Sequence, residues 1–209
     1  MDKMTVKRFH SAWLAILVCV MLALAACSSG SSNQMPGIST VMPSGGLVLD
    51  PPHVLTDATL TDQAGNTAHL SDWRGRVALV FFGYTHCPDV CPVVVADWTR
   101  VKKTLGADAN KASFVFISVD PARDTPPVIK QFLSSFDPAF IGLTANADTI
   151  QKIAKDFGVI FAQETGATVA HSTSAYLVDG ESRIRIEYPV GTLPDGIAED
   201  MRVLIHTQN

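Results

Sequence analysis

Lysine and arginine are in short supply. The 209-residue chain has 16 of them against 20 aspartates and glutamates, a formal net charge of −4. Binding nucleic acid by phosphate neutralisation needs the opposite balance, so that class of function is set aside. Cysteine is scarce as well. Four in the whole chain are too few for a small secreted scaffold stapled by disulfides. There is no internal repeat. With 14 glycines and 12 prolines in a chain that is 47% hydrophobic, neither collagen nor wholesale disorder fits. No apolar run reaches the roughly 20 residues of a membrane-spanning helix. The length suits one domain or a small pair.

What is present begins with an address. Residues 1–10 carry Lys3, Lys7 and Arg8 against a single acid, Asp2, and residues 12–26 are apolar. A basic start, a short apolar run and small residues before a cut describe a secretory signal peptide. The run ends Leu24-Ala25-Ala26-Cys27. This resembles the bacterial lipobox, which implies cleavage before Cys27, lipidation of Cys27, and a membrane-anchored protein facing the periplasm or extracytoplasmic space. Loss of three bases and one acid would leave 13 bases and 19 acids, a net charge of −6. Cys19 would leave with the signal and Cys27 would carry lipid, so Cys87 and Cys91 would be the remaining thiols. Residues 28–50 are rich in Ser, Gly and Pro, with no charge before Asp50. That composition cannot bury a core and reads as a flexible tether. The expected organisation is signal over 1–26, lipidated Cys and tether over 27–50, and a folded domain over 51–209.

The domain reads as α/β. Residues 57–69 suggest an N-terminal β-hairpin, with Gly65-Asn66 in the turn. Residues 76–82 and 113–119 are continuous apolar runs that suit strands buried on both faces. Helical spacing follows each, over 92–105 and 126–136, with prolines tolerable in the first turns. A short strand is expected at 140–143 and a helix over 147–157. A hairpin over 175–188 turns at Asp179-Gly180, and a last helix covers 195–206. Strands alternating with helices mean a layered fold. The trailing hairpin makes the central sheet mixed. The order, with a Cys pair between the first long buried strand and its helix, matches a thioredoxin-like architecture.

The chemistry sits in Phe82-Gly83-Tyr84-Thr85-His86-Cys87-Pro88-Asp89-Val90-Cys91-Pro92. Residues four apart share a helical face, so the two sulfurs can converge. A helix N-terminus favours thiolate, the form that binds metal or attacks disulfides. Three residues between the cysteines, rather than two, suit chelation of a soft ion at least as well as disulfide exchange. A plain stabilising disulfide is a further alternative, though so small a loop gains little chain entropy. Two thiolates favour a soft metal such as Cu(I), and a histidine would complete a trigonal site. Of His53, His69, His86, His171 and His206, His171 stands just before an expected strand, in the place where thioredoxin-like folds bring a loop to face the Cys turn. A loop histidine without a ligand role remains the alternative. A thiol peroxidase does not fit, because Val80 and Tyr84 replace the Pro and Thr of that pattern. Structural zinc wants four protein ligands, and only three stand out.

The stretch from Val80 to Pro92 closely resembles the signature of the Sco/SenC family of copper chaperones. Ser118-Val119-Asp120-Pro121-Ala122-Arg123-Asp124-Thr125-Pro126 agrees with it, as does His171 followed by Tyr176-Leu177-Val178-Asp179. The resemblance covers about residues 53–206. It implies a thioredoxin-like fold and one copper, Cu(I) or Cu(II), held by Cys87, Cys91 and His171. Asp120 is either an additional oxygen donor for Cu(II) or a carboxylate that fixes its loop; Asp89 is expected to face solvent. The implied partner is the copper-bearing subunit of cytochrome c oxidase or another cuproprotein, served by a monomer. The alternative role is a membrane-anchored thiol–disulfide oxidoreductase that keeps a cuproprotein's cysteines reduced, with Cys87 the more exposed attacker. Family members often carry an Asp before the His, where this chain has Ala170.

Overall fold

The structure, a computed structural model, describes residues 44–163, 169–171 and 173–207, without the side chains of 162–171. The expected signal peptide, Cys27, most of the tether and the side chain of His171 lie outside the described residues.

Two long strands make the centre. β4 (Val77–Gly83) and β5 (Ala112–Ser118) are buried at every position and pair in parallel, Phe81 opposite Phe116. A strand covered on both faces reads as a near-continuous apolar run, and these do, apart from Ser113 and Ser118 of β5, whose buried hydroxyls are hydrogen-bonded. β6 (Ile141–Thr144) extends the parallel set beyond β5. The hairpin of β2 (Thr59–Asp62) and β3 (Thr67–His69) adds antiparallel strands beyond β6. On the other side of β4 lie β9 (Ala175–Val178) and β10 (Arg183–Tyr188), also antiparallel. β1 (Leu47–Val54) closes that edge. The eight-stranded order is β1-β10-β9-β4-β5-β6-β2-β3. β7 (Phe161–Gln163) and β8 (Val169–His171) pair separately as a short ribbon.

Four helices cover the sheet. In α1 (Val90–Leu105), Cys91, Val95, Trp98, Val101 and Leu105 are buried, an apolar stripe at helical spacing. Trp98 packs its ring against Phe114 and Phe140. α2 (Pro126–Ser134) lies over the same face: its Phe132 meets Phe116. It also lies over Gly142, where a Cβ would fall 2.1 Å from Ile129, so only glycine lets helix and strand approach this closely. α3 (Ala147–Asp156) covers the opposite face, where Phe157 at its end stacks edge-on with Phe82 and Tyr176. α4 (Pro194–Thr207) packs beside α1.

Two segments depart from expectation. Strand pairing begins at Leu47, inside the stretch expected to be tether, because Leu47 and Val48 pair with Glu187 and Ile186. β1 is an edge strand, where Pro51 and Pro52 cost no ladder bond. β7 and β8 were not expected at all; three-residue strands carry no readable alternation.

Candidate metal centre

β4 ends at Gly83, residues 84–89 turn, and α1 begins at Val90. A Cβ at Gly83 would lie 2.8 Å from the Phe81 and Phe116 rings and 3.1 Å from Cys91 Sγ. Glycine there makes room for the buried sulfur. Cys91, in the first turn of α1, is fully buried, while Cys87 is half-buried. Both are thiols rather than a disulfide. The Cys91 amide donates to Cys87 Sγ at 3.4 Å, so the four-residue spacing brings the pair together as expected.

The two sulfurs differ electrically. Burial opposes ionisation of Cys87, but donation from the Asp89 and Cys91 amides, the Cys91 thiol and Tyr84 outweighs it and holds this thiol below its ordinary value. Burial pushes Cys91 far up. The Tyr84 amide works against that rise, and the charges of Cys87 and Asp124 add to it. One sulfur is therefore the more accessible and more readily ionised, and the other is its protected partner.

The facing loop, residues 119–125, follows β5 and is joined to the Cys turn. The Val119 amide donates to the Gly83 carbonyl at 2.8 Å. The Asp120 carboxylate accepts from Arg123 Nε, and its carbonyl accepts from the Arg123 and Asp124 amides at 3.1 and 2.9 Å. These are the contacts of a loop-fixing carboxylate. The Arg123 guanidinium lies over the Tyr84 ring, 5.9 Å from its centroid. Asp124 is the stronger tie. Fully buried, it accepts from the Thr85 amide at 2.9 Å, the Thr85 hydroxyl at 2.6 Å and the Ser118 hydroxyl at 2.6 Å. Asp89, between the cysteines, is exposed as expected.

The histidines scatter. His53 is exposed on β1. His69 Nδ1 lies 3.4 Å from Thr59 Oγ1. His86 is exposed, with Nδ1 3.5 Å from Asp124 Oδ1. His206 Nε2 lies 3.2 Å from Asp108. Among the described residues, no group of three His, Cys, Asp or Glu side chains is placed to hold a metal ion. His171 ends β8, its backbone opposite Phe161. Four residues later β9 begins, with Ala175 opposite Phe81. Because β9 runs antiparallel to β4, the approach to β9 lies at the end of the sheet where the Cys turn starts. Thr173 and Val94 of α1 line one cavity of about 30 Å³, so Thr173 stands across a small gap from the helix that carries Cys91.

The SCO1/SenC family model matches residues 49–206. The chain belongs to the SCO1/SenC family. A SCO2-like protein of Rickettsia felis is 33% identical over 152 residues, 70% of this chain and 74% of the relative. The structure of Bradyrhizobium japonicum ScoI with copper bound is 35% identical, covers 72% of this chain and 99% of its own, and has a TM-score of 0.66. BsSco, in which a disulfide switch was identified, is a member of the Sco family of cytochrome c oxidase assembly proteins. It is 27% identical, with 75% and 95% covered and a TM-score of 0.66. With these Sco neighbours and this sheet order, the fold is thioredoxin-like, as expected.

The contact between Thr85 and Asp124 is not predicted by the sequence motifs that contain them. The only available signal was a second acid in the loop after β5, opposite a hydroxyl residue two before the first cysteine.

Proposed function

We propose that this chain is a copper-binding metallochaperone that assists assembly of the binuclear copper centre of cytochrome c oxidase, with Cys87, Cys91 and His171 as ligands. The observation that carries the reading is the thiol pair on one turn, with Thr173, two residues after His171, lining a cavity shared with the same helix. Two sulfur donors and an imidazole suit Cu(I), a soft ion content with three ligands. Copper is cargo here, not a resident cofactor. The half-buried Cys87 is the side from which an incoming thiolate of a client can reach the ion, while Cys91 and the loops behind it stay fixed. Relatives with copper bound, and one in the oxidase assembly family, support the assignment.

A second reading is favoured by the asymmetry of the thiols. An accessible thiolate beside a buried partner suits disulfide exchange. The Cys87 thiolate would attack a client disulfide and form a mixed disulfide, releasing one client thiol. Cys91 would then displace the second client sulfur. The client gains two electrons and two protons, and the chain is left with a Cys87–Cys91 disulfide for an exported dithiol reductant to restore.

The lipid anchor is part of the proposal. Cys27 carries the lipid, residues 28–46 form the tether, and the domain works as a monomer at the membrane surface. Two acyl chains already hold a protein stably. Cys27→Ala is expected to move the protein to the soluble fraction of cells; recovery in the membrane pellet would refute lipidation as the anchor.

The test of the metal site is copper titration of the reduced full-length chain, by metal analysis and absorption spectroscopy. One retained copper per chain is expected, with thiolate-to-Cu(II) charge-transfer bands that fade or shift in His171→Ala. No retained copper, with a readily cycled Cys87–Cys91 disulfide, would overturn the chaperone reading in favour of the reductase.

A further inference from the structure

The end of the sheet that carries the Cys turn also carries bare apolar surface. Tyr188 of β10 pairs with Ala175 of β9, and Ala175 with Phe81 of β4, two residues before Gly83. Beside these strands Val94, Trp98, Thr173, Tyr188, Val190 and Ile197 line the cavity of about 30 Å³. The surface around it is uncovered. Val93, next to Val94 on α1, is 53% exposed; Val190 and Leu193, in the loop between β10 and α4, are 45% and 73% exposed. These are three of the six large hydrophobic side chains exposed among the described residues. The one charged group in the lining, Asp97, is paired with Arg100 at 2.7 Å. In the wall stands Trp98, itself 1% exposed, whose indole N–H has no acceptor among the described residues. A buried donor without a partner marks a place where an acceptor can still be added.

Two facts say what covers this surface. The cavity holds the tip of one side chain, whereas a free small molecule takes a pocket of about 300 Å³ or more. The guest is therefore carried by a larger body. The cavity also adjoins the sulfurs. Val94 is three residues beyond Cys91, about 5 Å along the helix, and Cys87 Sγ lies 3.4 Å from the Cys91 amide. An extended chain covers that span in about two or three residues.

We infer that this apolar surface docks the client polypeptide: a residue close to the client's reacting sulfur seats its apolar side chain in the cavity between α1 and the loop 189–193. This rests on the reading of Cys87 as the sulfur that meets the client. A carbonyl oxygen of the seated segment is the acceptor for Trp98. The surface then selects clients by what flanks their sulfur, and holds them while the exchange at Cys87 takes place.

The experiment compares two peptide disulfides on the reduced, copper-free, full-length chain carrying Cys91→Ser, which stops the reaction at the mixed disulfide. The probes are the symmetrical disulfides of acetyl-Leu-Gly-Cys-Gly-Leu amide and of its counterpart with serine for leucine. The Cys87 thiolate attacks one peptide sulfur and the sulfur–sulfur bond of the probe breaks. The other peptide leaves as a thiolate that takes up a proton. One sulfur attacks both probes, so its ionisation cancels from the ratio of rates. The adduct at Cys87 is read by peptide mass. The leucine probe is expected to react about tenfold faster. Adding Val190→Ser and Leu193→Ser, both on the surface, is expected to bring the two rates to within about twofold. Val54→Ser removes another exposed valine, at the opposite end of β1 from Leu47, and is expected to leave the tenfold ratio in place. Equal rates before these additions, or a ratio that survives Val190→Ser with Leu193→Ser, overturn the docking inference and leave Cys87 as the attacking sulfur. A fall in Val54→Ser as large as in the double substitution does the same. No adduct at Cys87 with either probe overturns that reading of Cys87, and the inference with it. A dimer in sedimentation that the double substitution dissolves would make the surface a contact between copies of this chain, and would overturn the inference as well.

Discussion

Two buried carboxylates stand at opposite ends of the central sheet, and they are solvated by different chemistry. Asp179, where β9 turns into β10, accepts from the Glu181 and Arg183 amides at 3.0 Å each. It also accepts from the Arg183 and Arg185 guanidinium groups at 2.8 and 3.1 Å. Asp124, at the Cys end, accepts from one amide and two hydroxyls. Charge that is cancelled on the spot stabilises a turn and projects little field. Charge that is only hydrogen-bonded is held in place and still felt by its neighbours. The first end ties a hairpin turn, the second ties the loop after β5 to the Cys turn.

The largest expected effect that would sharpen this contrast is on stability. Asp179→Ala strips two arginines of their shared partner and two hairpin amides of their acceptor. It should cost about 3 kcal/mol in urea unfolding, while copper retention stays at the parent level. A loss of copper in a folded Asp179→Ala variant would break the division between the ends.

The acid limb of the stability profile comes next. Burial opposes ionisation of Asp179, but Arg183, the backbone amides and Arg185 outweigh it, and its carboxyl sits below the usual range. A group depressed in the folded state binds protons sooner when unfolded. Its contribution is therefore complete above the unfolded value of about 4 and is lost as pH falls through the lower folded value. The parent should lose stability steeply below about pH 4, and Asp179→Ala should do so less steeply. Identical acid limbs in denaturant titrations at several pH values would contradict the assignment.

At the other end the expected effect is kinetic. Iodoacetamide should label Cys87 at least about tenfold faster than Cys91, because one sulfur is half-exposed with a lowered thiol and the other is buried with a raised one. Equal labelling, read by peptide mass, would remove the asymmetry on which thiol exchange depends. The smallest effect is expected from Asp120→Asn. Its carboxylate bonds a guanidinium one-third exposed, so about 1 kcal/mol of stability is at stake. The copper absorption bands should stay where they are; a shift in them would make Asp120 an oxygen donor instead.

The two ends were not equally legible in the sequence. β4, β5, the hairpin of β2 and β3 and the four helices were readable because long apolar runs, helical spacing and Asp179-Gly180 are local signals. The cysteine pair was readable because four-residue spacing at a helix start is geometry in itself. Asp124 was not. Its partners Thr85 and Ser118 come from two other segments, and only the parallel pairing of β4 with β5 brings the three together. β1 was hidden by Pro51 and Pro52, which an edge strand tolerates and a central one would not.

The central claim is that a third ligand from outside the thiol pair completes a copper site. X-ray absorption spectroscopy of the copper-loaded full-length chain, alongside His171→Ala, tests it most directly. The account predicts two sulfur scatterers and one imidazole nitrogen, with the imidazole signal lost in the variant. Sulfur scatterers alone, unchanged by His171→Ala, would contradict it.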